Sequence, residues 1–591
     1  MATSHVPFTG ETALSIAMKH KGETAKNPKQ LNPNIPEDLS GVVLKCLEKD
    51  KAKRYQNAAD VRAELEKIEK GIPTTERVSP EQKPITSREI TVKFSLKKLI
   101  TPVLIVAVIV LAAVAYWLFI PKKHAPSTPA QKRSIAVLPF ADLSQAKDYD
   151  YLCDGISETL INALTNIEGL WVPARTSAFF FKGKTQDIRE IGQKLGVDNV
   201  LEGSVQVAGD NLRVTARISN VKDGRQVWSE IFNRKMADIF AIQDDIAKAI
   251  IVALRIKLLG EKGAPLVKNY TENLEAYRLY LQGRNYWNKR DQANLIRSIE
   301  YFEKAIEIDP NYALAYAGLG DAYYILGNNG FWLAEKAFPK AKAAALKALE
   351  IDDKLAEAHA TLASVITDYD WDFVTAEKEF KLAIELNPAY ATALQYYAYG
   401  LSNSGRREEA MREIRTSRDL DPLSPRISAN VGLFLYYERR YGQAIEELNK
   451  ALEIDPSHAA THAWLGWAYE AMGKYEEAVR CYLRAAELSG MPKDLNPYLA
   501  SCYALMGKQE EARKILNKII EYSKGNYIPS VAIAWIFSAL GEKEQVFAWL
   551  EKAFRERDPF LLMFVKTLHI FDPVRSDPRY AALLRKIGLE K

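Results

Sequence analysis

The sequence predicts a multidomain chain: an α-helical repeat solenoid, a small α/β domain, one transmembrane helix and a short helical segment at the amino-terminal end. Three observations predict it. Asn387-Pro388, Asp421-Pro422 and Asp455-Pro456 recur at intervals of 34 residues, a period that belongs to stacked helix pairs. Leu99 to Ile120 forms a run of 22 residues without a charge. From Ser134 onward, β-branched runs alternate with segments of helical periodicity.

Composition sets the frame. With 591 residues the chain exceeds one ordinary core, and 48% hydrophobic with 26% charged residues is the balance of a folded protein. Eighty basic against 75 acidic residues leave a formal charge of +5. That near-balance argues against nucleic acid as a partner. The cysteines, Cys46, Cys153, Cys481 and Cys502, form no CxxC pair, which excludes a zinc ribbon and a redox motif. Buried thiols are expected, with a Cys481–Cys502 bridge left open for an oxidising compartment.

Residues 1–70 contain two amphipathic segments, Leu39 to Leu47 and Ala58 to Ile68. VPFTGET from Val6, LNPNIP from Leu31 and CLEKDKAKRYQNAADV from Cys46 resemble the end of the large lobe of a bacterial serine/threonine protein kinase. The resemblance implies a truncated kinase domain, because no HRD or DFG string occurs in the chain. It also implies that Arg54 has lost its glutamate and stands as an unpaired surface cation. So short a hairpin is expected to pack loosely. A gene fragment beginning at an internal methionine is favoured over a natural truncation. Residues 71–98, with Pro73, Pro80 and Pro84, suit a linker in which Thr74, Thr75, Ser87 and Thr91 are candidate phosphorylation sites.

Residues 99–120 are long enough to cross a hydrocarbon core of about 30 Å as a helix. Lys97, Lys98, Lys122 and Lys123 flank them, and Tyr116 and Trp117 sit near one end. The charges are too symmetric to orient the span. Kinase remnants belong in the cytoplasm, so the expected protein is single-pass, in a bacterial inner membrane, with its carboxy-terminal domains extracytoplasmic.

After a linker at 121–133, residues 134–260 read as strand, helix, strand, then a helix at Asp187 to Leu195. Strands follow at Asn199 to Val207, Leu212 to Ser219 and Gln226 to Phe232, with a last helix through Ile246 to Leu258. IAVLPFADLS, CDGISETLINAL, VPARTSAF and LGVDNVLEGSVQ resemble the TolB-like amino-terminal domain of bacterial envelope proteins. The resemblance implies partner binding rather than catalysis. Asp154, Ser157 and Glu158 are read as helix-start residues, not as a catalytic cluster.

Residues 270–560 carry the repeat. Leu465, Gly466, Tyr469, Ala478, Tyr482 and Ala485 fall on the pattern of the tetratricopeptide repeat (TPR) family, and about eight helix pairs fit between Leu274 and Pro559. Residues 561–591 are expected to cap the exposed end. The resemblance implies a concave groove for an extended or helical protein or peptide ligand. In its register Tyr324, Tyr399, Tyr436, Tyr437, Trp467 and Glu470 line that groove. His458 and His462 stand four apart, but no third ligand is recognisable, so packing is preferred to a metal.

The expected function is a membrane-anchored binding scaffold or sensor with no catalytic residue and no cofactor. The alternative is the sensor portion of a receptor-type serine/threonine protein kinase whose catalytic residues lie upstream.

Overall fold

The computed structural model describes residues 25–32, 35–48, 53–69, 133–254 and 266–590. The chain divides into two units, Met1–Lys123 and His124–Lys591.

In the first unit the helices are α1 (Pro28–Leu31), α2 (Glu37–Cys46) and α3 (Ala58–Glu69). Few of the described side chains are shielded: Pro28, Ile35, Ser40 and Val42 are buried, and Ser40 Oγ donates to Asn27 Oδ1 at 2.7 Å. Arg54 differs from expectation. Its Nε donates to the Glu48 carbonyl at 2.5 Å, so the chain's own backbone receives it.

The second unit opens with β1 (Arg133–Val137), β2 (Ala141–Asp142), α4 (Asp150–Thr165), β3 (Leu170–Trp171), α5 (Arg175–Phe179) and α6 (Ile188–Leu195). Then come β4 (Asn199–Ala208), β5 (Asn211–Asn220), β6 (Gln226–Lys235) and α7 (Ile239–Ala253). The strand order is β3-β1-β4-β5-β6, parallel about β1 and antiparallel from β4 onward. Gly209, with φ +57°, sits first in the two-residue turn between β4 and β5, as a type II′ hairpin requires. Helix α7 starts earlier than the sequence suggested, because Ile239, Ile242, Ile246 and Ile250 form one buried stripe against the sheet.

Eight antiparallel helix pairs follow: α8 (Leu274–Trp287) with α9 (Gln292–Ile308), α10 (Ala313–Asn328) with α11 (Ala334–Ile351), α12 (Ala356–Val365) with α13 (Phe373–Leu386), and α14 (Ala391–Asn403) with α15 (Arg407–Leu420). The others are α16 (Pro425–Tyr437) with α17 (Tyr441–Ile454), α18 (Ala459–Ala471) with α19 (Tyr475–Ser489), α20 (Pro497–Leu505) with α21 (Gln509–Tyr522), and α22 (Ser530–Ala539) with α23 (Lys543–Arg555). Small residues allow the close approach. A Cβ on Gly466 would run into the Tyr482 ring of the paired helix. Helices α24 (Pro559–Phe564) and α25 (Pro578–Lys586) end the chain.

The expected fold class needs one correction. Among the described residues no helix is long and apolar enough to cross a membrane, and the run at 99–120 lies outside them. The 18-residue helix α11 shows why: Glu335, Lys336, Lys340, Lys342 and Lys347 interrupt its apolar stripe, which serves to pack on neighbouring helices. The described architecture is a mostly helical TPR-type solenoid with some sheet. The single-pass localisation, inner membrane included, falls with the span.

Candidate partner-binding site

The six residues expected to line the groove lie on the first helices of their pairs. The structure brings four of them together. Trp467 is 1% exposed and Glu470 3%; with Tyr436 and Tyr437, also buried, they face residues 559–574. Trp467 packs edge-on against Phe564 and Trp535, at ring separations of 5.3 and 5.4 Å. The Tyr436 hydroxyl lies 2.7 Å from His569 Nδ1. Glu470 Oε1 lies 3.4 Å from His569 Nε2, and its Oε2 accepts from the Tyr482 hydroxyl at 3.1 Å. Arg439 adds an ion pair to Asp572 at 2.7 Å.

The other two stand apart. Tyr324, buried, donates to Asp368 at 2.9 Å. Burial pushes the Asp368 carboxyl up to about 7. Tyr399 is half-buried; it donates to Asn430 at 2.8 Å and meets Phe434 edge-on.

The occupant of this wall is therefore the chain itself. Leu561, Leu562, Val565, Leu568, Ile570 and Phe571 are buried in it. At roughly 1.5–3 kcal/mol for each fully buried apolar side chain, displacing them would cost on the order of 10 kcal/mol. A micromolar partner supplies about 8 kcal/mol. The wall at Tyr436, Tyr437 and Trp467 is thus solenoid core, and the expectation of an open groove there is corrected. Sequence register found the wall but had no signal for what fills it.

A second set of contacts was missed. The acid cluster of α4 lies beyond the first turn expected for it, since the helix starts at Asp150. Glu158 is held between Arg175, at 2.9 Å, and Arg284 of α8, at 2.6 Å. Burial opposes its ionisation, but the two guanidinium groups outweigh burial and hold the carboxyl below its usual range. Asp154 pairs with Lys182 at 2.7 Å. Ser157 Oγ donates to the Cys153 carbonyl at 2.9 Å and accepts from the Phe140 amide at 3.0 Å.

Ser177 of α5 donates to Asp421 through its amide, at 2.9 Å, and its hydroxyl, at 2.5 Å. Ala174 N donates to the Leu420 carbonyl at 2.9 Å. The α/β domain is thereby fixed to the first repeat and to the turn after α15. A cavity of about 130 Å³ remains at the first of these joints, between Glu158, Gln243, Tyr277, Tyr280, Arg284 and Tyr312.

His458 Nδ1 lies 2.6 Å from Thr461 Oγ1, and His462 Nε2 lies 3.0 Å from the Pro456 carbonyl. Among the described residues no group of His, Cys, Asp or Glu could hold a metal ion. Cys481 and Cys502 are free thiols.

Comparison with known proteins agrees with this geometry in part. Family models described as tetratricopeptide repeat match residues 276–312, 398–459, 435–490 and 465–526. The repeats are tetratricopeptide repeats. Residues 130–249 match a model described as the second domain of HilA/YgeH-like transcriptional regulators.

Three curated relatives are similar over part of their length. Putative adenylate cyclase 3 of Rhizobium meliloti (strain 1021) is 38% identical over 194 residues, 33% of this chain and 33% of the relative. The probable serine/threonine-protein kinase CPE1738 of Clostridium perfringens is 44% identical over 70 residues, 12% of this chain and 10% of the relative. The transcriptional regulator HilA of Salmonella typhimurium (strain LT2) is 24% identical over 240 residues, 40% of this chain and 42% of the relative. The chain spans less than half the length of each.

Proposed function

We propose that this chain is a protein-interaction scaffold whose solenoid, braced by the α/β domain, holds a partner's extended or helical segment on the concave wall of its first repeats. One observation carries the reading. Residues 559–574 pack against α10, α14, α16 and α18, yet on the same repeats Arg290, Glu357, Tyr390 and Tyr396 stay half-buried and Arg426 exposed. Tyrosine and arginine dominate interface hot spots, because each offers wide contact area together with hydrogen-bonding groups. In this reading Tyr324 and Tyr399 stand at the border of the open wall, while Tyr436, Tyr437, Trp467 and Glu470 hold the chain's own segment.

Affinity capture with the full chain and with a Tyr396→Ala/Arg426→Glu variant tests it. The variant is expected to lose the wild-type partner while melting at the same temperature. An identical set of captured proteins would remove the open wall from the function.

A second reading is supported by the kinase likeness over 70 residues: the regulatory portion of a serine/threonine protein kinase whose catalytic residues lie upstream. An in-frame coding stretch before Met1 with a glycine-rich loop and a catalytic aspartate favours it. A promoter and ribosome site directly before Met1 counts against it.

A further inference from the structure

The α/β domain leaves one sheet edge open. At the opposite edge β3 has two residues, too short to template another strand. By contrast β6 has ten residues, no proline, and an exposure pattern open along most of its length. Val227 is 46% exposed and Ile231 56%. Natural sheets blunt such edges by shortness, proline, bulges or charged side chains; the register irregularity at Ile218/Ser219 disturbs only the start of β6, and its charges, Glu230, Arg234 and Lys235, are of both signs.

Ladder geometry shows which groups are free. Ala208 faces Asn211 across the two-residue turn, which makes them a hydrogen-bonded pair, and such pairs alternate along an antiparallel ladder. Odd-numbered residues of β5 therefore bond to β4, and even-numbered ones bond to β6 at Trp228, Glu230, Phe232 and Arg234. The amides and carbonyls of Ser229, Ile231 and Asn233 point to the open edge. Among the described residues no backbone bond from another element reaches them.

We propose that this edge pairs with β6 of a second copy, antiparallel, about a two-fold axis at Phe232. That register sets Ile231 opposite Asn233 of the second copy, matching edge-facing backbone groups on both sides; Arg234 Nη1, which donates to the Asn233 carbonyl at 3.1 Å within one chain, leaves it on pairing. It also sets exposed Glu230 opposite exposed Arg234 of the second copy, and Arg234 opposite its Glu230, in the non-hydrogen-bonded positions where side chains approach most closely. The two Ile231 side chains meet on the diagonal across the axis. Glu230 and Arg234 stand symmetrically about Phe232, so a second copy supplies both opposite charges in one register, which favours a second copy as the occupant.

Sedimentation of the full chain across a concentration series tests the pairing by charge exchange. The wild type is expected to dimerise. Glu230→Arg and Arg234→Glu each bring like charges together twice and are expected to weaken the dimer by about tenfold or more. The double exchange restores the opposite-charge pairs and with them wild-type affinity, a recovery that misfolding of either single variant cannot mimic. A monomeric wild type, single variants that dimerise as well as wild type, or a double variant that fails to recover would each overturn the proposal.

Discussion

His569 places its Nε2 3.4 Å from Glu470 Oε1 while its Nδ1 lies 2.7 Å from the Tyr436 hydroxyl. The Glu470 side chain, with no exposed surface, thus lies against an imidazole carried by a segment 99 residues further along the chain. Replacing His569 with Ala leaves Glu470 with the Tyr482 hydroxyl alone. Removing the ring and leaving the Tyr436 hydroxyl without its partner costs about 1–3 kcal/mol. Chemical denaturation of His569→Ala is expected to show a loss of that order, with Glu470→Gln losing less. Equal stability of His569→Ala and wild type would mean that the segment is not held by this contact.

Glu158 ties the α/β domain to the solenoid through Arg284. Glu158→Ala leaves Arg284 without that carboxylate and is expected to cost about 3–5 kcal/mol at the joint. Limited proteolysis should then separate the two domains, which are expected to resist together in wild type. The acid side has a defined sign. A carboxyl lowered in the folded state stabilises fully above its unfolded value, about 4.3, and that stabilisation is lost as pH falls through the lowered folded value. The joint is expected to loosen below about pH 4.

Asp558 gives the opposite sign. Burial pushes its carboxyl up to about 7, against the hydrogen bonds it accepts from the Val531 and Phe560 amides. The folded state therefore holds a proton that the unfolded state releases near pH 4. Stability at the end of the solenoid should fall between about pH 4 and about pH 7 and level off above. Asp558→Asn is expected to flatten that slope by about 1–2 kcal/mol, read from denaturation midpoints at pH 5 and pH 8. An unchanged slope in the variant would assign it to another group.

Gly466 is the tightest helix approach in the clearest repeat. Gly466→Ala forces the Tyr482 ring aside and is expected to cost about 1–3 kcal/mol. Gly442, with nothing near its added Cβ, should tolerate alanine. A melting comparison of the two variants separates packing from helix propensity, since propensity favours alanine at both sites.

Much of the fold was legible because it is local. The 34-residue period, Leu465 with Gly466, and the alternation along β4 and β5 report faces of single elements, and each face must be buried whatever partner it finds. The candidate wall was legible for the same reason, since first-helix positions follow from repeat register. What was not legible is long-range. Nothing near Trp467 in sequence foretells Phe564, and Asp421 read only as turn punctuation while it also receives Ser177.

By itself, then, the sequence determined the repeat, the strand and helix alternation and the inward-facing aromatics, because periodicity is a property of neighbours along the chain. Tertiary structure alone decided that the aromatic wall encloses residues 559–574, that Glu158 and Asp421 are joints, and that β6 is left at an edge. Those outcomes depend on which distant surfaces meet, and complementary shape and charge between segments 100 to 250 residues apart choose among them.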